Sequence, residues 1–319
     1  MLLSIIVPCY NEEGNIDLFY DETVKALGDL MPQTELIFVN DGSRDATITK
    51  LRVLCERAEY RVRVVSFSRN FGKEAALLAG LRASTGTFTS IIDADLQQKP
   101  SYIVDMLEIL NEHPEYDAVA AYQEERKEGF LLSFFKKSFY KVIDSLTDVK
   151  IMQAASDFRL LRRPVVDAIL SLPEKCRFSK GIFAWVGFET YYMPYVVEER
   201  ASGTSKWNFW KLLRYAFDGI FAFSNKPLIM SSIAGLFIFA LSVLYLIIIV
   251  VKTIFWGDPV AGFPTLACLI LMLSGIQLLS VGILGQYLAK NYTESKERPV
   301  FIVKEELDNG SMGTSMHEL

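Results

Sequence analysis

Two long stretches near the C-terminal end of the chain, residues 228–251 and 260–289, contain no charged side chain. Few folds can accommodate such runs. About 20 apolar residues cross the hydrocarbon core of a bilayer as a helix. The pattern predicts two transmembrane helices, over about 228–251 and 262–289, joined by a short linker. The second uncharged run exceeds the span, so tilt or an interfacial end is expected. Lys206, Lys211, Arg214 and Lys226 precede the pair, and Lys290, Lys296 and Arg298 follow it. The positive-inside bias places both flanks, and with them both termini, in the cytoplasm. The expected location is therefore the cell (inner, cytoplasmic) membrane, with a multi-pass topology. Gly275, Gly282 and Gly285 would permit close helix approach and a homo-oligomer through these helices. Just upstream, Trp207, Phe209, Trp210, Tyr215, Phe217, Phe221 and Phe223 are mixed with Lys211 and Arg214. That mixture predicts an amphipathic helix lying in the membrane interface, rather than a soluble core helix.

The first 206 residues read as a separate, cytoplasmic catalytic domain. The N-terminal apolar run ends at Pro8 and has no basic residues before it, so it reads as a strand and not a signal peptide. Leu3 to Val7 reads as a continuous apolar run, as in strands buried on both faces, and 36–39 as a second buried strand, with further strands at 62–67, 87–92 and 117–121. Helical patterns fill the gaps: 16–27, with Asn15 as its cap; a helix to about 58, capped by Asp45 or Ser43; one to about 83; and one starting at Pro100. A further strand is expected at 155–161 and one or two at 186–197. Gly129 to Thr147 suggests an amphipathic helical stretch. Strand and helix in alternation predict an α/β fold with a mostly parallel, Rossmann-like sheet. The tail after Val303 is expected to be disordered. The divisions are thus 1–206, 207–226, 227–290 and 291–319.

In such sheets, ligands bind beyond the carboxyl ends of the strands. The loops at 8–15, 41–44, 68–73 and 93–98 all lie at carboxyl ends and should converge. Ile91-Ile92-Asp93-Ala94-Asp95-Leu96-Gln97-Gln98 places two carboxylates two residues apart and an amide two further on. Hard divalent cations take oxygen ligands, and a cation-bound diphosphate leaves with its charge neutralised. Taken alone, the motif reads equally as a strand end with a solvated acidic turn. Other chemistries are disfavoured. The two histidines, His113 and His317, and four scattered cysteines offer neither histidine catalysis nor a zinc site. A net charge of −5 argues against nucleic acid as a partner.

Pro8-Cys9-Tyr10-Asn11-Glu12, Asn40-Asp41-Gly42-Ser43, Asp93-Ala94-Asp95-Leu96-Gln97 and Asp157-Phe158-Arg159-Leu160 occur in this order. Together they resemble family 2 of the inverting glycosyltransferases, on the GT-A fold. Ser68-Arg69-Asn70-Phe71-Gly72-Lys73-Glu74 and Arg200 with Gly203-Thr204-Ser205-Lys206-Trp207 resemble the polyprenyl-phosphate branch. That branch holds the dolichyl-phosphate mannose synthases and, with two C-terminal membrane helices, the bactoprenol glucosyltransferases. The resemblance implies transfer of a hexose from a nucleotide sugar, UDP-glucose in the nearest group, to a polyprenyl phosphate such as undecaprenyl phosphate. It implies a nucleotide pocket shaped by Pro8, Tyr10, Asn11 and Glu12, with Asp41 at the base or ribose and Asp93 beside the nucleotide. Asp95 and Gln97 would hold Mg²⁺ or Mn²⁺, and Asp157 matches the catalytic-base position. Arg200, Ser205 and Lys206 would bind phosphate groups.

The chain departs from the family pattern in three places. Asn40 stands where a second aspartate is common, Gln98-Lys99 precedes Pro100, and Thr204 stands where Glu is common. Lys73, beside Gly72, reads either as a surface lysine or as a contact to the donor phosphates. Arg126, a candidate phosphate contact, lies in a mixed-charge run. Trp185, Phe178 and Phe183 are candidates for the lipid entry. Asp157 could alternatively be a structural carboxylate paired with Arg159 or Arg162. GDP-mannose as donor is the nearest alternative activity. A processive polysaccharide synthase would need a Gln-x-x-Arg-Trp segment, which is absent, and a non-catalytic nucleotide-sugar-binding module would not need all of Asp93, Asp95 and Asp157.

Overall fold

The computed structural model describes residues 1–123, 155–196, 226–256 and 262–310. Seven strands come from the N-terminal 196 residues: β1 Leu3–Cys9, β2 Thr34–Asn40, β3 Arg61–Phe67, β4 Phe88–Ile91, β5 Ala118–Gln123, β6 Ala155–Arg162 and β7 Thr190–Tyr195. An eighth, β8 Val303–Asp308, comes from the tail. The helices between them are α1 Ile16–Leu27, α2 Thr47–Arg57, α3 Lys73–Ala83, α4 Tyr102–Glu112, α5 Arg163–Ser171 and α6 Ser179–Trp185. Two long helices follow, α7 Lys226–Trp256 and α8 Phe263–Ser295.

The sheet runs β7-β5-β6-β4-β1-β2-β3-β8. β1 lies between β2 and β4 and is parallel to both, so the chain winds outward through β2 and β3 and then returns to β1's other side. That reversal is a topological switch point, and it opens a crevice outside the carboxyl ends of β1 and β4. The sheet is mostly parallel, as expected, with two strands reversed. β6 runs antiparallel to both β4 and β5, and β8 antiparallel to β3. The consequence is local: because β6 is reversed, its amino end, with Asp157, meets the carboxyl end of β4.

Alternation along the strands splits the core into two apolar layers. Leu3, Ile5 and Val7 pack with α1, α2 and α4 through Phe19, Leu51 and Met106. Ile6, Ile37 and Ile91 pack on the opposite face with α3, α5 and α6 through Ala76, Val166 and Ile182. Gly80 lets α3 lie directly on β1, since a Cβ there would overlap the Ile6 side chain.

Several local expectations are corrected. Asn15 does not cap α1; its amide donates to Glu12 Oε2 at 2.7 Å. Asp45 takes the first N–H of α2, from Thr47, at 3.1 Å, but Ala46 is the residue that precedes the helix. α4 begins at Tyr102, after a turn at 99–101 that includes Pro100.

The largest correction concerns the start of the tail, where Val303–Asp308 form a strand. Arg52 grips Glu305 with two bonds of 2.9 and 2.6 Å, and Arg61 reaches Asp308 at 3.0 Å. Asn309 accepts from Val62 N–H and donates to Tyr60 O. The Phe301 ring stacks on Phe67 with centroids 4.9 Å apart. Edge-strand pairing supplied this order, and a polar, charge-rich tail does not announce it locally.

α7 and α8 pack against each other. At about 1.5 Å per residue each exceeds the ~30 Å apolar core of a bilayer. Among the described residues, one stretch, Met272–Ser295, is helical, long and apolar enough to cross a membrane, and Lys226–Ile238 is a shorter apolar segment. A Cβ on Gly275, Gly282 or Gly285 would meet no neighbour, so these glycines are not where α8 meets α7. The expected interfacial helix at 207–226 and the amphipathic stretch at 129–147 lie outside the described residues.

Candidate active site

The crevice is built from loops that fasten one another. After β1, the backbone N–H groups of Asn11, Glu12 and Glu13 donate to Ser43 Oγ (3.0 Å), Thr47 Oγ1 (2.9 Å) and Asp45 Oδ2 (3.2 Å). After β2, the N–H groups of Arg44 and Ala46 donate back to Asn11 Oδ1 (2.9 Å) and Glu13 Oε2 (2.8 Å). Short polar side chains can meet backbone donors in this way, which is why the two loops are rich in them. Asn11 takes a left-handed φ of 55° within this exchange.

Asn40, the first departure from the family pattern, links two loops. Its amide donates to Ser66 Oγ at 2.9 Å while its oxygen accepts from Ser43 N–H at 3.2 Å.

Asp41 anchors the next loop. Its carboxylate accepts from Phe71 N–H (2.6 Å), Gly72 N–H (3.0 Å) and the Asn70 amide (2.8 Å). Burial pushes its pKa above the ordinary carboxylate value despite the bonds from Phe71 and Gly72. Gly42, at φ +60°, is required beside it, because a Cβ would run into the Arg69 and Asn70 backbone. So the β2 and β3 loops touch main chain to main chain. Arg69 lies over the Phe71 ring at 4.0 Å, and Phe71 meets Phe67 edge-on at 5.8 Å.

The loop ends at Lys73, the first residue of α3. Its ammonium lies 2.8 Å from Asp93 Oδ1 and 2.9 Å from Asp157 Oδ2. The sheet register explains the meeting. Ile91 pairs with Arg159 in the antiparallel β4–β6 ladder, so two places further on Asp93 faces Asp157. Two facing carboxylates repel, and the lysine joins them. Burial works against a charged Lys73, but Asp93 and Asp157 outweigh it and raise its pKa. Burial likewise works against ionised Asp157, yet the charges of Lys73 and Lys180 bring its pKa down to about 2. Asp157 does not pair with Arg162, which donates to the carbonyls of Tyr116 and Leu110. Arg159 lies 3.6 Å over the Phe183 ring and donates to Ser156 O.

The loop after β4 turns sharply. Leu96 adopts φ +58°, and Asp95 Oδ1 accepts from Gln97 N–H at 3.2 Å. Gln98 is buried, its oxygen 3.4 Å from Asp93 N–H, while Lys99 points to solvent. Among the described residues, no three His, Cys, Asp or Glu side chains form a metal cluster. The donors here are one carboxylate and one amide oxygen, which fits a cation that takes its other ligands from water and a diphosphate.

Sequence reasoning did not single out the floor of the crevice. Glu74 Oε2 accepts from Ser179 N–H at 2.8 Å and from the Ser179 hydroxyl, tying the start of α6 to the start of α3. Burial pushes the Glu74 pKa up, and Ser179 offsets this only in part. The juxtaposition of Lys73 with Glu74, two opposite charges opening one apolar helix, was the only signal available in the sequence. Arg126, Arg200, Ser205 and Lys206 lie outside the described residues. Phe183 is buried in the α6 layer, whereas Trp185 is 56% exposed.

An α/β sheet with a switch-point crevice, acidic at β4 and basic at α3, belongs to an enzyme that handles phosphorylated ligands. Residues 4–170 match the model of glycosyl transferase family 2, and the chain belongs to that family. It is 41% identical over 308 residues to the bactoprenol glucosyl transferase of Shigella phage SfV, covering 96% of this chain and 99% of that one. It is 42% identical over 304 residues to an uncharacterized glycosyltransferase of Synechocystis sp., covering 95% of each. It is 41% identical over 305 residues to the putative glycosyltransferase CsbB of Bacillus subtilis, covering 95% of this chain and 92% of that one. The solved mannosyltransferase PcManGT of Pyrobaculum calidifontis aligns at 20% identity with a TM-score of 0.49, over 69% of this chain and 63% of its own.

Proposed function

We propose that this protein is a membrane-bound inverting glycosyltransferase that moves a hexose, glucose as the first choice, from a nucleoside diphosphate sugar to a polyprenyl phosphate. The observation that carries this reading is the end-to-end similarity to the SfV bactoprenol glucosyl transferase, which extends through the apolar C-terminal helices. The Lys73–Asp93–Asp157 cluster supplies the chemistry. α7 and α8 are both read as membrane spans, with the catalytic domain on the cytoplasmic side, because basic residues flank the pair.

The reaction is a single displacement. An oxygen of the acceptor phosphate forms a bond to the anomeric carbon as the bond to the donor's diphosphate oxygen breaks, and the nucleoside diphosphate leaves with that electron pair. One displacement inverts the configuration. Asp95 and Gln97 would hold a Mg²⁺ or Mn²⁺ ion, which when bound supplies positive charge to the departing diphosphate. Lys73 is placed to do the same from the opposite side, at the start of α3, where backbone N–H groups also favour anions. Asp41 contributes by holding the loop that delivers Lys73. Tyr10, Asn11 and Glu12 frame the nucleotide beside the zipped loops.

Asp157 is a poor proton acceptor while Lys73 touches it, because its pKa is about 2. The acceptor hardly needs a base, since a phosphate monoester has its second pKa near ~6 and is mostly dianionic at neutral pH. Asp157 therefore acts first by orienting Lys73 and the incoming phosphate. It gains basicity when Lys73 shifts onto the donor diphosphate.

The test uses purified full-length protein in detergent with polyprenyl phosphate, Mg²⁺ and separate UDP-glucose, GDP-mannose and other nucleotide sugars. Lipid products are read by mass. A hexose-phosphate lipid from UDP-glucose, abolished by chelator, is expected. A product from GDP-mannose alone would reassign the sugar. No lipid product from any donor overturns the reading.

A further inference from the structure

Lys180 stands apart from the other cations of the crevice. Lys73 is shared by two carboxylates, and Arg159 is engaged with Ser156 O and the Phe183 ring. Lys180 has neither an ion pair nor a hydrogen bond among the described residues. Its position is nonetheless fixed on both sides. Ser179, just before it, is fastened by Glu74, the residue after Lys73. Phe183, three residues later, is buried beneath the Arg159 guanidinium, and Arg159 shares a face of β6 with Asp157. Asp157 is also the main source of favourable charge for Lys180, ahead of Glu74. Burial lowers the Lys180 pKa, and Asp157 offsets that only in part. A desolvated ammonium without a fixed partner is costly to keep unless a ligand completes it.

The surroundings indicate which ligand. Donor phosphates are already served from the β4 and α3 side by Lys73 and the 93–97 loop. α6 packs beside α3 in the same layer, but the segment that leads into it is held from elsewhere. Four residues before Lys180, the Cys176 N–H donates to Glu294 Oε1 at 2.7 Å, and the Lys175 N–H donates to the same carboxylate at 2.9 Å. Glu294 lies in the last turn of the apolar helix α8. The Lys175 ammonium adds a bond to the Glu294 carbonyl at 2.9 Å. The segment that delivers Lys180 is thus bolted to the end of the membrane helix, and Trp185 on the same short helix is exposed.

We infer that Lys180 is an acceptor-binding residue. Its ammonium receives an oxygen of the incoming phosphate monoester beside Asp157, while Lys73 serves the donor. This rests on the phosphate-acceptor reading above and assigns that acceptor a ligand. The proton stays on Lys180 throughout, so the residue holds the nucleophile without taking part in proton transfer.

The experiment compares wild type, Lys180→Met and Lys180→Arg as full-length proteins. It measures KM for polyprenyl phosphate, KM for the nucleotide sugar, kcat, and calorimetric affinity for the nucleoside diphosphate with Mg²⁺. A charge-assisted hydrogen bond corresponds to about tenfold or more in affinity. Lys180→Met is expected to raise KM for the lipid phosphate by about that factor, with nucleotide affinity unchanged, and Lys180→Arg to restore most of it. Weakened nucleotide binding with an unchanged lipid KM would overturn the inference in favour of a donor role. Unchanged constants in Lys180→Met would also overturn it. Should Lys180→Met fail to fold, Lys180→Arg still decides: a lipid KM as poor as that of a cation-free site, with a wild-type melting temperature, counts against it. Absence of lipid product in the wild type would instead defeat the acceptor reading itself.

Discussion

The two ends of the sheet treat buried charge in opposite ways. At the amino end, Glu35 is fully buried, and its carboxylate receives Ser4 Oγ at 2.6 Å, Thr85 N–H at 2.8 Å, Thr85 Oγ1 at 2.7 Å and Arg63 at 3.4 Å. Burial pushes its pKa up, but the hydrogen bonds from Ser4 and Thr85 and the Arg63 charge win, and the pKa falls below the ordinary value. Arg63 is itself fixed, donating to Ala83 O. At the carboxyl end, Asp93 and Asp157 share one long-chained lysine whose side chain is 41% exposed. The first arrangement is closed: each lone pair is met by a group rooted in backbone or a short side chain. The second holds together only until a stronger anion competes for Lys73. A carboxylate satisfied by rigid donors stabilises the fold, and one satisfied by a long flexible cation is available for chemistry.

Four substitutions would sharpen or break this contrast. The largest effect is expected from Asp157→Asn, with transfer falling by about 10²–10⁴-fold and the melting temperature nearly unchanged. Retained activity would mean that the residue does not touch the reaction. Glu35→Ala should do the reverse. Breaking a buried charge network typically costs about 3–5 kcal/mol of stability, read by denaturant unfolding, while KM values at temperatures where the protein is folded stay near wild type. A clear loss of kcat in folded Glu35→Ala would erase the distinction between the two ends.

Asp95→Asn comes next. Transfer should lose its dependence on added Mg²⁺ along with most of its rate, and unchanged metal dependence would remove Asp95 from the ion's ligands. Phe301→Ala should be the mildest. Loss of the stack on Phe67 costs about 0.5–1.5 kcal/mol beyond area burial. Because Phe67 leads into the loop that delivers Lys73, donor KM should rise modestly while lipid KM stays level.

The same contrast has a pH signature. Asp157 is depressed to about 2 in the folded protein, against ~3.9 for an unperturbed aspartate. Its contribution to stability is therefore complete above about pH 4 and is lost as pH falls toward 2. Stability should fall less steeply between about pH 4 and pH 2 in Lys73→Met than in wild type, read by denaturant unfolding at each pH. An unchanged slope would show that Lys73 is not what keeps Asp157 ionised.

Much of the architecture was readable from local pattern. The strands β1 to β4 carry apolar residues toward both faces because both faces are covered, and the loops at their carboxyl ends carry the polar residues that fasten them. What escaped the pattern depends on distant partners. β8 is rich in charge, and it becomes a strand by pairing with β3, with Arg52 and Arg61, some 250 positions earlier, holding its carboxylates. β6 reads as a strand from either direction, so its reversal was not visible. Lys180 and Glu74 resemble ordinary surface charges until α6 and α3 are laid side by side.

The sequence by itself determined the family, the α/β alternation, the apolar C-terminal helices and the identity of the acidic residues, because each is written in short-range spacing. Only the tertiary structure decided that Asp93 and Asp157 face each other across one antiparallel step with Lys73 between them. It also decided that the end of the apolar helix α8 is bolted, through Glu294, to the segment carrying Lys180. Charge partners are chosen by proximity in space, and proximity is settled by strand order and direction, which no local pattern of residues encodes.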